Sequence, residues 1–443
     1  MLNILISLLI FTLPFEILQI PLGNLDIRIH QILLALIVLT LIPRIFKTDP
    51  SKHIWSNMTS ISWYYNNIHI LLLIGMWTMI LIGGLLYGGD INTTLVRNMV
   101  LLGYIAVFYI LYTYINTRKR LNQALSLILW STGVLIIIGL YEAIAFQLGW
   151  NSLQVFPGRV DSLLPEPNWF GMWLAVVYAI TLPLCFYAKQ FYQQILLWTL
   201  VLGTILMSIL SVTRASWLAI IVITGFYFLY NLIFVRKYIQ LGTFIIVLFS
   251  VAFGATGMSQ LGLTDFNLRD RFTSIASQET TYYYEVDEET GEETAIDSKN
   301  IKPEQKNIIT RKEADINVLT RTDGYVFAGV IISQHLLTGV GLTGYENRAG
   351  EGYNTNNILL AVAVAGGMIA ISLFLAFLYI IAKQSILIIG TDPQNSAIMI
   401  GALLAIFITG MFNDNLLMGF TWLILGIVAA IPEIVWQESE KKQ

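Results

Sequence analysis

Apolar blocks of roughly 20 residues alternate along this chain with short polar joints. Each block is long enough to cross about 30 Å of hydrocarbon as a helix. The pattern predicts an all-α polytopic membrane protein with about twelve spans, at roughly 2–20, 29–46, 68–87, 96–115, 124–147, 169–187, 195–212, 215–234, 239–258, 356–382, 396–412 and 415–436. One long polar stretch interrupts the rhythm. The chain therefore divides into spans one to nine (1–258), a large loop (259–355), and spans ten to twelve with a short tail (356–443).

Composition agrees with the pattern. Of 443 residues, 56% are hydrophobic and only 12% charged, about half the charged share of a soluble domain. The mean hydropathy is +0.69. The lone Cys185 rules out an internal disulfide. "MLNILISLLIFTLPF" lacks the basic start and small-residue cleavage site of a signal peptide, so a retained first span is expected.

Charge sets the expected sidedness. With the N-terminus in the cytoplasm, Arg44, Lys47, Lys52, Arg118, Lys119, Arg120, Lys189, Arg236, Lys237, Lys383, Lys441 and Lys442 fall inside. Only Arg28, Arg97, Arg159 and Arg214 fall at short outer joints. That bias follows the positive-inside rule, which leaves long loops uncounted. It gives no reason for an arginine in the outer turn "SILSVTRASWLAII" (208–221). Lone interfacial arginines often snorkel to lipid phosphate. Arginine is also the side chain that grips a phosphate with two parallel bonds and keeps its charge.

The long loop has three readable parts. "TTYYYEVDEETGEETAIDSKN" (280–300) reads as an exposed β-hairpin turning near Thr290–Gly291, its acidic run a solvated face. "RTDGYVFAGVIISQH" (321–335) is too short to span and reads as an interfacial or re-entrant helix. Thr322 or Asp323 is expected to cap it, which would set Arg321 beside an anion-favouring helix start. "LLTGVGLTGY" (336–345) has glycines for tight turns, but no G-K-[ST] follows to make a P-loop.

"PGRVDSLLPEPNWFG" (157–171) gathers Arg159, Asp161, Glu166 and Asn168 at the outer mouth of span six. Pro167, a capping Asn168 and an interfacial Trp169 are explained by a helix start at the membrane surface; Arg159 and Glu166 are not. Glu142 lies inside span five, where a carboxylate is a functional candidate. Glu16 is expected to snorkel to the interface. His30, His53, His69 and His335 are scattered, and no zinc motif, Ser–His–Asp set or nucleotide motif is present. A transporter would place paired ionisable residues and broken helices at the midplane of two related halves, and no such repeat is visible. The polar chemistry collects on the outer side, as for an enzyme acting on an amphiphile with an anionic head.

These motifs resemble those of the bacterial O-antigen ligase and polymerase superfamily, membrane glycosyltransferases of the GT-C class. The resemblance covers most of the chain, including the large loop between spans nine and ten. "GRVDSLLPEPNWFG" is similar to the family's Arg…(D/E)-P-N-x-x-(A/G) segment, and "SVTRASWLA" to its S-R-(G/A) turn. "RTDGYVFAGVIISQHLLTGVGLTGY" is similar to its Arg…H-P-L-x-G-V-G-x-x-x-Y signature, with Leu336 where proline is usual. Ligases carry His-Asn-x-x-Leu at span ten. Here "YNTNNILLAV" aligns through Thr355–Asn356 or Asn356–Asn357 and supplies no histidine, which favours a polymerase.

The resemblance implies transfer of a glycan from an undecaprenyl-diphosphate-linked donor to a glycan acceptor, with inversion. It implies no metal or other cofactor, no nucleotide and no nucleic-acid partner. Arg159, Arg214 and Arg321 would hold the diphosphate; Glu166 or Asp323 would orient or deprotonate the acceptor hydroxyl. Asn356 stands in the catalytic motif, and Asn168, Tyr345 and Asn357 in the substrate-binding positions. A flippase and a chain-length regulator are the implied protein partners, and membrane lipid the surroundings. The implied location is the bacterial cytoplasmic membrane, with the active site facing outward. Ligation to a lipid or protein acceptor, and solute transport by a relative, are the alternatives.

Overall fold

A computed structural model describes residues 1–17, 19–22, 25–47, 61–151, 158–235, 279–286, 293–296, 308–314, 316–349 and 355–441. Helices dominate it. The first part holds α1 (Leu2–Thr12), α2 (Ile29–Lys47), α3 (Ile61–Tyr87), α4 (Ile91–Tyr114), α5 (Arg118–Leu148), α6 (Pro167–Tyr187), α7 (Phe191–Leu210) and α8 (Arg214–Tyr230), which ends in a π turn over Asn231–Val235. The stretch expected as the large loop, 259–355, contains α9 (Ile316–Gln334) and α10 (Glu346–Ala349), and α11 (Ile358–Leu387), α12 (Pro393–Gly410) and α13 (Gly419–Glu440) follow it.

Among the described residues, nine helices are long and apolar enough to cross a membrane: α3 to α8 and α11 to α13. They correspond to nine of the twelve expected spans. The expected span at 239–258 lies outside the described residues. The first expected span, 2–20, is corrected. Its helix stops at Thr12, before Pro14, and its 11 residues rise only about 16 Å. α2 begins at Ile29 as expected, and its apolar part Ile29–Leu41 is likewise short.

α1 can stop early because one end of the bundle is sunken. α5 is 31 residues long, yet Ser162, in the segment that follows it, is bonded well down its side. The Ser162 hydroxyl donates to Leu135 O (2.9 Å), roughly 20 Å short of the helix end at Leu148. Ser162 N donates to Glu142 Oε2 (2.9 Å). The buried Glu142 thus anchors an irregular segment whose backbone lies among the helices. Beyond α1, Ile17 N reaches the same segment at Leu163 O (3.0 Å).

Local chemistry explains the other helix ends. Asp90 accepts from Asn92 N and Thr93 N at the start of α4. Gly149 takes φ 67° and closes α5, Pro167 sits in the first turn of α6, and Asp392 caps α12 just before Pro393. α6 and α13 are the central helices, buried nearly all round. Outer faces carry exposed apolar side chains such as Trp130, Ile137 and Tyr379, as lipid contact requires. At the end opposite the sunken one, Arg118 joins Asp392 (2.7 Å) and Glu438 (2.8 Å), tying α5, α12 and α13.

α11 is broken. Gly367 has φ 68° and ψ −170°, which interrupts the helical hydrogen bonds. The glycine-rich segment after α9 takes up the freed groups. Val340 N donates to Val364 O and Gly341 N to Ala365 O, each at 2.8 Å, and Met368 N donates to Leu336 O at 2.7 Å. Buried backbone in a bilayer must be paired within the protein, and here a loop strand does it.

Among the described residues two small sheets accompany the helices. β1 (Gln19–Leu22) pairs antiparallel with β2 (Leu25–Arg28). In the long loop β3 (Glu279–Val286) pairs antiparallel with β4 (Glu293–Ile296), with Val286 opposite Glu293. The expected turn at Thr290–Gly291 lies outside the described residues. β3 also pairs with β5 (Ile308–Ala314), giving the order β4-β3-β5.

Candidate functional site

A cavity of about 420 Å³ opens at the sunken end of the bundle. This is within the usual range for small-ligand sites. Its polar wall is built from six distant parts of the chain: Arg28 at the end of β2, Arg97 and Tyr104 on α4, Trp169 in the first turn of α6, Tyr345 and Glu346 after α9, Thr355 ahead of α11, and Asp414 between α12 and α13. Gly341, Val364 and Ala365, at the break in α11, also line it.

Both arginines are held in place. Arg28 Nη1 donates to Glu16 Oε2 at 2.7 Å and approaches the Tyr104 hydroxyl at 3.4 Å. Glu16 is fully buried and ion-paired, so the snorkelling expected of it does not occur. Arg97 Nη2 donates to Glu346 Oε2 at 2.7 Å, and its Nη1 to Leu342 O at 3.3 Å. A guanidinium has five N–H donors, so these bonds leave others for a ligand. Threonine hydroxyls of α4 and the loop also meet, Thr94 with Thr343 at 2.7 Å, fixing Arg97 against the 341–346 segment.

Asp414 accepts one hydrogen bond, from Leu416 N to Oδ1 at 3.0 Å. Burial pushes its carboxyl up to about 6; the Leu416 N–H pulls it down and the neighbouring Glu346 adds a smaller push upward. The Thr355 hydroxyl is buried and has no hydrogen-bond partner among the described residues. Among the described residues no three His, Cys, Asp or Glu side chains gather as a metal-binding set.

Of the residues singled out from the sequence, Tyr345 lies on the cavity wall. Its hydroxyl donates to Gly324 O (3.0 Å), tying the wall to α9. Asn168 and Asn356 are chain neighbours of the lining residues Trp169 and Thr355. Asn168 does not cap α6, because Glu166 occupies the cap position. Its Oδ1 instead accepts from Arg159 Nη2 at 3.0 Å, while Arg159 Nε donates to Ser211 O at 3.1 Å. Arg159 therefore clamps the sunken segment to α6 and to the turn that carries Arg214. That turn is also fixed by Thr213 Oγ1, which donates to Pro167 O at 3.0 Å. Burial pushes the Glu166 carboxyl above its usual range, with Arg159 opposing.

Arg321 and Asp323 are corrected in one respect. α9 starts at Ile316, so Thr322 and Asp323 lie in its second turn and are not caps, and Arg321 is not beside a helix start. Asp323 is exposed and Arg321 partly buried. Asn357 caps α11, accepting from Leu359 N and Leu360 N, while its amide donates to Met411 O. Asn356 precedes it with φ 45°. The His335 ring packs at a tilt against Tyr87, with ring centres 4.3 Å apart.

Arg28 and Arg97 were visible in the sequence only as outer-side basic residues. Asp414, in "FNDNLLMG", had no distinguishing pattern at all. No protein-family model matches the chain, and no curated protein matches it.

Proposed function

We propose that this protein is a membrane glycosyltransferase that transfers a glycan from an undecaprenyl-diphosphate-linked donor to a glycan acceptor, as a polysaccharide polymerase does. The observation that carries the reading is the cavity holding Arg28 and Arg97 at the sunken end of a membrane bundle. Two permanent cations there suit a diphosphate, and a cavity recessed among apolar helices suits a headgroup whose tail stays in the bilayer. Arg28 and Arg97 take the diphosphate-holding role in this reading. Arg159 and Arg214 serve the neighbouring rim of the same end.

The chemistry follows from charge. As the bond between the anomeric carbon and the diphosphate breaks, negative charge grows on the leaving oxygen. Fixed guanidinium groups stabilise that charge most where water is scarce. The donor already carries the energy, so a nucleotide is not required. By resemblance the transfer inverts the anomeric centre. In this reading the end faces outward from the cytoplasmic membrane of a bacterium, and the basic bias of the sequence supports that sidedness.

Solute transport draws some support from the break in α11, since transporters use discontinuous helices. The freed carbonyls of Val364 and Ala365 are, however, taken by Val340 N and Gly341 N, and do not face a passing ion. Ligation to a lipid or protein acceptor would use the same cavity with a different acceptor.

The test is transfer by the purified full chain in nanodiscs supplied with an undecaprenyl-diphosphate-linked oligosaccharide. Longer lipid-linked glycan and free undecaprenyl diphosphate are expected. Arg97→Lys should lower the rate about tenfold to a hundredfold, since a lost charge-assisted contact is worth about 1.5–3 kcal/mol. Well-folded protein that leaves the donor intact with every acceptor offered would reject the reading.

A further inference from the structure

The glycan-transfer reading needs a group to take the proton of the attacking hydroxyl, and "YNTNNILLAV" supplies no histidine for it. Among the described residues two carboxylates line the cavity, Glu346 and Asp414. Glu346 is bound to the Arg97 guanidinium at 2.7 Å, and a carboxylate facing a permanent cation is a weak base. Asp414 has no ion pair among the described residues, and its one hydrogen bond occupies Oδ1 alone. Oδ2 is left to a ligand. Among the described residues the other charged or titratable groups on the wall are Arg28, Arg97, Tyr104, Tyr345 and Glu346, with Glu16 and His30 packed behind Arg28 and Tyr104.

We propose that Asp414 is the catalytic base of this cavity, accepting the proton of the acceptor hydroxyl; this rests on the reading above. The hydroxyl oxygen bonds to the anomeric carbon as the bond from that carbon to the diphosphate oxygen breaks. The electron pair leaves with the diphosphate, which Arg28 and Arg97 hold. The hydroxyl proton passes to the Asp414 carboxylate and from there to water. A carboxyl raised to about 6 is ionised at neutral pH yet basic enough to pull on a hydroxyl.

The test compares wild type, Asp414→Asn and Asp414→Glu as full chains in nanodiscs, with turnover of an undecaprenyl-diphosphate-linked glycan and binding of undecaprenyl diphosphate measured separately. Asp414→Asn keeps an acceptor for Leu416 N. It should bind undecaprenyl diphosphate within threefold of wild type but turn over about a hundredfold to ten-thousandfold more slowly. Wild-type kcat/KM should fall as pH drops through about 6, and Asp414→Glu should keep part of the activity. Turnover by Asp414→Asn within threefold of wild type would overturn the proposal, as would a flat wild-type profile between about pH 5 and 7. If Asp414→Asn does not fold, the wild-type profile and Asp414→Glu decide. A wild type that neither binds undecaprenyl diphosphate nor consumes the donor rejects the transfer reading itself.

Discussion

Gly341 sits where three backbones meet, and replacing it with alanine tests the packing that shapes the cavity. Its φ is 79°, a region alanine enters at a cost of about 1–2 kcal/mol. A methyl at this position would overlap the Cα of Gly84 and lie 2.6 Å from Gly84 N. Those are backbone atoms of α3 and cannot rotate away. Overpacking in a tight core costs about 1–3 kcal/mol, and an overlap with backbone belongs at the upper end. Any shift that relieves it also strains the 2.8 Å bond from Gly341 N to Ala365 O, which satisfies the break in α11. The expected loss is about 2–5 kcal/mol. Gly133→Ala is the control, because a methyl there meets nothing within 4 Å and α5 should gain about 0.5–1 kcal/mol. The assay is thermal unfolding of both variants in one detergent, with monodispersity checked by size exclusion. Gly341→Ala melting at or above the wild-type temperature would refute the three-backbone contact.

Glu142→Ala removes the acceptor for Ser162 N, and a buried donor left unpaired costs about 1–3 kcal/mol; limited proteolysis should then cut within 158–166 well before it cuts the wild type. Asp414→Asn should stabilise the protein above pH 6 and lose that advantage below about 4. The raised carboxyl binds its proton more tightly when folded, so wild-type stability falls as pH rises across that window, by about 1–3 kcal/mol; chemical-denaturation curves at pH 4 and 8 measure it. Single cysteines at Asn347 and Lys189 should report opposite sides of the membrane, with only the first labelled in intact cells by an impermeant thiol reagent, since native Cys185 is buried. Labelling of Lys189→Cys alone would invert the assigned sidedness.

Much of the architecture was legible in the sequence because a bilayer makes one demand of each segment separately. A chain in hydrocarbon must satisfy its own backbone, so a block of about 20 apolar residues becomes a helix whatever its neighbours are. Among the described residues nine such helices follow from that local rule. The paired strands within 280–300 were also local, a β-rich run on either side of a turn.

Side-chain partnerships were decided only by the tertiary structure. Lipid tails and a protein core are equally apolar, so hydropathy cannot tell which face of a helix meets which. It could not show that the chain beyond α1 meets the 158–166 segment, or that the glycine-rich segment after α9 takes the carbonyls freed by the break at Gly367. The partners of Asn168 and Asn357 were equally hidden: in the fold one holds Arg159 and the other caps α11. Arg28, Arg97 and Asp414 lie far apart in the sequence, Asp414 more than 300 residues from either arginine, and share no motif. They form one wall because β2, α4 and the turn before α13 converge at the same end of the bundle, and convergence of that kind is a property of packing, which no local stretch of sequence records.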